Sequence, residues 1–539
     1  GDHTLEYGIQ YVDSETGGLD NQSSTGFNLL NYDAIWGGTF ADCDTAGNCV
    51  FNIEDYIGGT GNGLSYRWVA LDRGKLTQNV INLGLYVQDT WQWNKWRLDV
   101  GLRYDKYDSD TTFDTLNLDF DSISPRLGLT YNVDENWQLQ ATWGKYVSRF
   151  NDNVGSSITG VGGAPYISTI YDGGDQFGLT YEQTEALLRD DANWGINAGI
   201  NDPQQPTTFA ADDIGSPFAN DFNLAVKRAL PRNSGSITLT YTNREYNNLL
   251  TAFTGGSVCN ARDGAGDCID SPSYIDTYFD FPDNADYFDT FDASVWDNSS
   301  LAERQYQGVT LTFDYRPSAK WNIGGNWTHS WTRGNYEGEG RNTPSSGSVI
   351  GSYERSVMQN FAVPYGFLDE DIRDRFNVFG AYRLDWGRMG SLALGGAMIY
   401  QSGFNWSQTG GISYADDPEQ IYLNNTGSYT AFYDGRGNNR FNGWWSLDLS
   451  ARYQIPIYKR LQGWVKFSVL NVLNNDELTS YQTSGSTNES ADGRYFWTPN
   501  GSCGLGDEPS VDCSSFGRIR NQNDYQNPRS YLLTVGLVF

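Results

Sequence analysis

The sequence predicts an all-β protein, a transmembrane antiparallel β-barrel of about 14 strands with long extracellular loops. Three observations carry the prediction. Apolar and polar side chains alternate with a period of two in one segment after another. The connections between those segments alternate between short and long. The chain also closes on an aromatic strand in which Phe539, Leu537, Val535, Leu533 and Tyr531 share one face. Smaller or mixed residues, Val538, Gly536, Thr534 and Leu532, lie between them. An edge strand of a soluble sandwich is the bland alternative for that ending, and the rest of the chain decides.

Composition narrows the class. A chain of 539 residues would ordinarily make several soluble domains. Aromatics at 15% with hydrophobics at only 38% is odd for a soluble core, but suits aromatic girdles around a polar lumen. No apolar run approaches the ~18 residues that a membrane helix needs. Closed barrels are the other way to satisfy every backbone group in lipid. A net charge of −30 argues against nucleic acid as a partner, because phosphates need basic surfaces. The 6 cysteines form close pairs, Cys43 with Cys49, Cys259 with Cys268 and Cys503 with Cys513. Each pair sits among Gly, Asp and Asn, which reads as a disulfide-pinned loop in an oxidising compartment. Zinc is disfavoured, since no pair has CxxC spacing and the chain has only 2 His. No signal peptide precedes the first strand, as in a mature form or a piece of a longer chain.

In chain order, Leu5, Tyr7, Ile9 and Tyr11 alternate with Glu6, Gly8 and Gln10, giving a strand over about 3–12. The next, about 79–93, aligns Ile81, Leu83, Leu85, Val87, Trp91 and Trp93, with Asp89 breaking the apolar face. An Asn94-Lys95 turn leads into about 95–107, where Trp96, Leu98, Val100, Leu102 and Tyr104 share a face; this is a hairpin signal. Strands follow at about 122–133, 137–147, 217–229, 235–251, 303–316, 320–333, 371–386, 390–402, 441–457, 461–473 and 528–539. The clearest faces belong to 320–333: Trp321, Ile323, Gly325, Trp327, His329 and Trp331 outward, Asn322, Gly324, Asn326, Thr328, Ser330 and Thr332 inward. Few soluble sheets would place three Trp on one face and no apolar side chain on the other.

Short connections at 134–136, 231–235, 317–320, 387–390 and 458–460 alternate with long ones at 13–78, 108–121, 148–216, 252–302, 335–369, 403–439 and 474–526. Outer-membrane barrels sort their loops this way, with the long side extracellular. All the cysteine pairs fall in long loops.

Inward positions hold Arg97, Arg103, Arg126, Lys227, Arg244, Arg316, Arg375, Arg383, Arg452 and Lys466 against Glu6, Asp99, Asp314, Asp385 and Asp448. Charge pairing between strands is the bland reading. The functional one is a lumen that holds an acidic or polar plug, or passes anionic solutes. In the loop at 148–216, Thr180 with Gln183 fits a capping box ahead of Ala186, Leu187 and Leu188. Between 270 and 298, Tyr274, Tyr278, Phe281, Tyr287 and Trp296 are interleaved with Asp, a candidate surface for stacking on a sugar or gripping a peptide. Oxygen coordination of Ca²⁺ there, or at Asp263, Asp267 and Asp270, is the weaker reading, and a loop packing on its own aromatics is as good.

Several stretches resemble TonB-dependent outer-membrane transporters, especially the Oar-like group. They are LGLYVQDTW at 83–91, LDVGLRYD at 98–105, SPRLGLTY at 124–131, RQYQGVTLTFDY at 304–315 with GNYEG at 334–338, and DIRDRFNVFGAY at 371–382. SLDLSARY at 446–453, FSVLNVLNN at 467–475 and NPRSYLLTVGLVF at 527–539 complete the series. The resemblance implies a bacterial outer-membrane location and a barrel of about 22 strands, of which this chain would supply the carboxy-terminal part. It also implies an amino-terminal plug and a TonB-type energy transducer as partners, with lipid and lipopolysaccharide around the barrel. Plug and TonB box are not in this sequence, so a partial chain is expected.

Active import of a scarce solute is the first functional expectation. A passive porin-like barrel is the second, and would pair 4–11 directly with 531–539. A surface adhesin or scaffold working through disulfide-pinned acidic loops is the third. No enzyme and no cofactor is expected: there is no GxSxG elbow, and only His3 and His329 are at hand for a Ser-His or Cys-His arrangement.

Overall fold

The computed structural model describes residues 2–18, 27–31, 42–43, 49–50, 65–70, 76–111, 118–147, 166–171, 186, 189–201, 208–210, 214–255, 261–262, 268–270, 293–298, 302–337, 352–353, 364–413, 428–458, 461–483, 485–489, 495–499, 517–519 and 521–539. Its frame is one antiparallel sheet whose strands pair in chain order. They are β1 (Asp2–Gly18), β2 (Leu76–Trp93), β3 (Trp96–Thr111), β4 (Leu118–Asn132), β5 (Trp137–Val147), β6 (Phe218–Ala229) and β7 (Gly235–Asn247). The second half comprises β8 (Arg304–Ser318), β9 (Trp321–Gly334), β10 (Asp374–Asp385), β11 (Ser391–Gln401), β12 (Trp444–Tyr458), β13 (Leu461–Leu470) and β14 (Ser530–Val538). Every strand predicted from alternation is present.

The ladder fixes the faces, because directly paired residues point the same way. One row of partners runs Thr142, Asn223, Thr242, Gly308 and Ser330 across β5 to β9. The row one step away runs Ala141, Leu224, Tyr241, Val309 and His329. The first row is polar, and the second is apolar but for His329. Leu102, Leu224, Leu239, Trp321, Trp327, Leu449 and Phe467 all lie on the apolar face and all are exposed. Trp321 and Trp327 are thus not sealed between stacked layers, as a sandwich would require.

Among the described residues, Asp89 and Asp374 place carboxylates within that apolar band, and both are satisfied in the same way. Asp89 accepts a hydrogen bond from the indole Nε1 of Trp91 at 2.5 Å and lies 3.4 Å from His3 Nδ1. Asp374 accepts from Trp327 Nε1 at 3.1 Å and lies 2.9 Å from His329 Nδ1. A bare carboxylate on a lipid-facing wall would be expensive. An indole N–H donor with an imidazole beside it, each on an apolar body, engages the carboxylate in both places. Asp89 lies near the short-turn end of β2 and Asp374 at the long-loop end of β10, so the pairs sit towards opposite rims.

The first strands run past their predicted ends: β1 reaches Gly18, β3 Thr111, and β4 begins at Leu118. Apolar alternation stops where the lipid-facing band stops, but the ladder continues above it through polar residues such as Asp108 and Asp119, which are direct partners. In the other direction β7 ends at Asn247, short of 251, because Asn248 takes a left-handed φ of 52°. Asn94, in the tight turn between β2 and β3, has φ 51°, which matches the hairpin twist that Asn favours. Among the described residues β1 ladders only with β2 and β14 only with β13. The pairing of 4–11 with 531–539 that a self-closed barrel would show is not among them.

The long connections are not plain loops. Phe27–Asn31, Ser65–Ala70, Tyr166–Tyr171 and Trp194–Asn201 form a sheet of 4 strands joining the first and third long connections. A second such sheet orders Thr208–Ala210, Ala293–Asn298, Leu250–Gly255 and Ser352–Tyr353 side by side. Alternation that is short and half polar did not announce these strands. In the 148–216 connection Ala186 and Arg189 are helical, and Asp190 N donates to Ala186 O at 3.2 Å. Thr180, Gln183, Leu187 and Leu188 lie outside the described residues.

Candidate functional site

The functional candidates lie on the polar face and at its long-loop rim. Of the inward cations expected from sequence, three find a carboxylate two residues along the same strand. In that geometry both side chains point the same way. Arg97 pairs with Asp99 at 2.9 Å, Arg103 with Asp105 at 2.5 Å and Arg316 with Asp314 at 3.1 Å. Arg244 pairs across the ladder with Asp221, which is buried. Arg375 donates to Gln401 Oε1 at 3.0 Å. Arg126 and Arg452 lie over aromatic rings instead, at 4.8 Å from Tyr146 and 4.5 Å from Trp464. Charge pairing, the bland reading, therefore holds for part of the wall only.

A cavity of about 280 Å³ opens on this face between β3, β4 and β5, lined among others by Arg103, Asp105, Ser122, Ser124, Arg126 and Tyr146. Tyr107 and Phe120 stack at its upper edge, with centroids 4.7 Å apart and planes at 7°. Ser124 is almost fully buried there, and its Oγ finds no hydrogen-bond partner among the described residues. A buried hydroxyl without a partner costs free energy unless something in the cavity engages it. With the Arg126 guanidinium beside it, this corner can hold an anionic or polar oxygen. Sequence reasoning named Arg126 and Arg103 but missed Ser124 and Tyr146, since Ser and Tyr on an inward face carry no distinctive signal.

At the rim a buried charge network ties the long connections to the strands. Asp371 has no exposed surface. It accepts from Arg440 Nη2 and the Thr332 amide, both at 2.6 Å, and from Arg373 Nη2 at 3.2 Å. Glu337 accepts from Arg436 Nη1 at 2.8 Å, and Arg304 pairs with Glu370, also at 2.8 Å. Leu249, Ala302 and Tyr336 make a small apolar core nearby, with Tyr246 packed on it. These residues were also missed: Asp371 and Arg373 stand inside the quoted DIRDRF stretch, where they read as the start of a strand.

Other sequence candidates are only partly placed. Trp296 lies in Ala293–Asn298, between Ala210 and Ala252 as backbone partners. Tyr274, Tyr278, Phe281 and Tyr287, along with Asp263 and Asp267, lie outside the described residues, and Asp270 ends the short strand Cys268–Asp270. Cys43 and Cys49 are direct partners in a two-stranded ladder, and Cys268 pairs with Arg262. Cys259, Cys503 and Cys513 lie outside the described residues. His329 bonds an acid, but on the apolar face.

The profile of the "TonB dependent receptor-like, beta-barrel" family matches residues 2–474. The chain belongs to that family. It is therefore an outer-membrane β-barrel, its apolar face towards lipid and its polar face the lumen. Long connections lie on the extracellular side and short turns on the periplasmic side. The family is one of receptors, not enzymes. Solved structures similar to this TonB-dependent receptor-like barrel include the outer membrane transporter YddB from Escherichia coli, at 11% identity and TM-score 0.48, covering 92% of this chain and 50% of that one. The siderophore receptor PiuA from Acinetobacter baumannii matches at 12% identity and TM-score 0.44, covering 99% of this chain and 53% of that one. The chain thus spans about half the length of the structures it matches. No curated protein matches in sequence.

Proposed function

We propose that this chain is the barrel wall of a TonB-dependent transporter that imports a scarce solute across the outer membrane. A plug in the lumen gates the pathway, and a TonB-type transducer releases it. The supporting observation is the family match over residues 2–474, together with a lumenal wall rich in unneutralised donors. On this reading the free edges of β1 and β14 are bridged by further strands of the native barrel, since unpaired backbone groups are costly in lipid. Tyr7 and Ile9 on β1, 78% and 70% exposed, mark one edge that such strands would flank.

The corner formed by Ser124, Arg126 and Tyr146 serves as a lumenal contact for an anionic or polar solute. The extracellular aromatics Tyr274, Tyr278, Phe281, Tyr287 and Trp296 would make first contact, and the three cysteine pairs would pin their loops as disulfides. Affiliation to the Oar-like group belongs to this proposal, as does contact of the apolar face with lipopolysaccharide. No cofactor enters the reading.

The test compares depletion of solutes from defined medium by cells with and without the gene, in the presence and absence of an energised inner membrane. Depletion that needs both the gene and the energised membrane, and that falls in an Arg126→Gln variant, supports active import. Depletion indifferent to energy would replace it with a passive pore.

A further inference from the structure

We propose that Arg228, Arg232 and Lys95 form a headgroup site on the outer side of the periplasmic rim, occupied by the phosphate of a net-anionic phospholipid in the periplasmic leaflet. The site follows from the orientation of the barrel alone, whatever solute it carries.

The ladder places Arg228 on the unexpected face for a charge. It stands two residues beyond Val226 and four beyond Leu224 on β6, so its side chain leaves the strand on the apolar side. Its direct partners agree, being Trp137 on β5 and Ile237 on β7. Arg228 is also the last residue but one of β6, opposite the first residue of β5, and the turn at 231–235 follows at once. Face and level are therefore fixed together, on the lipid-facing surface at the short-turn end. A cation on that face costs much at mid-membrane and little at the interface.

Several features gather at this level. The Arg228 guanidinium lies over the Trp137 ring, 5.1 Å from its centroid. Stacking holds the plane of the fork and leaves its edge for a bidentate anion. Trp96 and Tyr131, partners on the same face with centroids 4.3 Å apart, continue the aromatic belt that marks the headgroup region. Lys95 Nζ donates to the Val133 carbonyl. The Val133 amide in turn donates to Trp137 O at 2.9 Å, so the ammonium is brought to the strand beside Trp137. Arg232, also exposed, sits in the turn directly after Arg228.

No acid of the wall answers these charges. Asp134 and Glu135 are the acids of the neighbouring turn, and Asp134 Oδ1 accepts the amides of Asn136 and Trp137 at 2.7 and 2.9 Å. Among the described residues no ion pair reaches Arg228, Arg232 or Lys95. The imbalance extends around the rim. In a protein of net charge −30, the turns at 231–235, 317–320 and 387–390 carry Arg232, Lys320 and Arg388 and no acid. Positive charge on this side complements phosphate.

Chemistry selects the lipid. Phosphatidylethanolamine carries an ammonium next to its phosphate, which clustered cations repel, whereas phosphatidylglycerol offers the anion alone. Free phosphate would satisfy the guanidinium edge but would leave Trp96 and Trp137, 38% and 39% exposed, without the acyl chains that cover them.

The experiment is native mass spectrometry of the full-length protein released from detergent micelles, after incubation with phosphatidylglycerol or with phosphatidylethanolamine of the same acyl chains. A tightly held phosphatidylglycerol should survive activation, in severalfold excess over phosphatidylethanolamine. Arg228→Gln/Arg232→Gln should lose that excess. Arg228→Lys keeps the charge but not the fork and should retain only part of it. Lys320→Gln, in a turn away from Trp137, should leave it unchanged.

Equal retention of the two lipids overturns the proposal, as does an undiminished excess in Arg228→Gln/Arg232→Gln. A loss as large in Lys320→Gln would mean diffuse rim charge in place of a site and overturns it too. Displacement of the lipid by glycerol phosphate, which has the headgroup charge without the chains, would make this a site for free phosphate and sink the lipid assignment. Each variant is scored as folded barrel, read from gel mobility before heating. Should the double variant not fold, Arg228→Lys carries the test, and an unchanged excess there overturns the proposal.

Discussion

Replacing Asp371 with Ala should destabilise the barrel more than any lumenal substitution on the strands themselves. The carboxylate is fully buried and receives donors from Arg440, Arg373, the Thr332 amide and, at 3.4 Å, Asn405 Nδ2. Removing it strands two guanidinium groups that lose their counter-charge. Breaking a buried pair by deleting one partner costs about 3–5 kcal/mol, and about 4 kcal/mol is roughly a thousandfold in the folded ratio. Arg440 retains the carbonyls of Asp371 at 2.9 Å and Gly403 at 2.6 Å, so the lower half of that range is the better expectation. Urea unfolding in phospholipid vesicles, followed by tryptophan fluorescence, reads the change. Asp371→Asn keeps the shape, loses the charge and should cost about half as much. In a double-mutant cycle with Arg440→Gln the coupling should be about 1–3 kcal/mol. A loss below about 1 kcal/mol for Asp371→Ala, or strict additivity in the cycle, would refute the view that this network ties the extracellular connections to the wall.

Three further outcomes are expected. Asp374→Ala leaves the Trp327 N–H and His329 without their acceptor and should cost about 1–3 kcal/mol, seen as a lower temperature of barrel unfolding in detergent gels; an unchanged temperature contradicts the pairing. Gly437 has φ 64°, and a Cβ there would lie 2.0 Å from the Phe367 carbonyl oxygen, whereas Gly387 has φ 62° with open space around it. Gly437→Ala should therefore lower the urea midpoint clearly more than Gly387→Ala, which pays only the backbone strain of about 1–2 kcal/mol; equal effects would deny the close approach. Native protein should show Cys43 and Cys49 resistant to alkylation until a reductant is added, given their direct pairing across a ladder; alkylation without reductant would show free thiols.

The strands were legible because the lipid imposes one rule on every one of them. Trp321, Ile323, Trp327 and Trp331 alternate with polar residues, and the register follows from that alternation together with short turns such as Asn94-Lys95. Where lipid no longer selects side chains, the signal fades, and so the upper reaches of β3 and β4, around Asp108 and Asp119, went unread. The extracellular sheets escaped for the same reason. Tyr166–Tyr171 is a short strand, and its neighbours Ser65–Ala70 and Trp194–Asn201 lie on either side of it from distant parts of the chain. The lumenal cations other than Arg304 were visible on alternation alone, but whether each had a partner was not. Arg316 with Asp314 and Arg383 with Asp385 have the same spacing, yet only the first pair is joined, because Asp385 is drawn to the amide of Gly387. Asp89, which breaks the apolar face, is explained by the indole of Trp91 two residues along and by the neighbouring strand that brings His3 beside it.

Neighbouring side chains of the wall have opposite destinations, and β9 is the place to measure it. A nitroxide side chain placed at each position from 321 to 332 in the membrane-embedded protein reports collisions with oxygen, which partitions into lipid, and with a water-soluble nickel complex. Odd positions should be rich in oxygen collisions and even positions in nickel collisions, with a period of two throughout. A scan in which Trp321 and Trp327 are shielded from both reagents, or in which the alternation is missing, would contradict a wall between lipid and lumen.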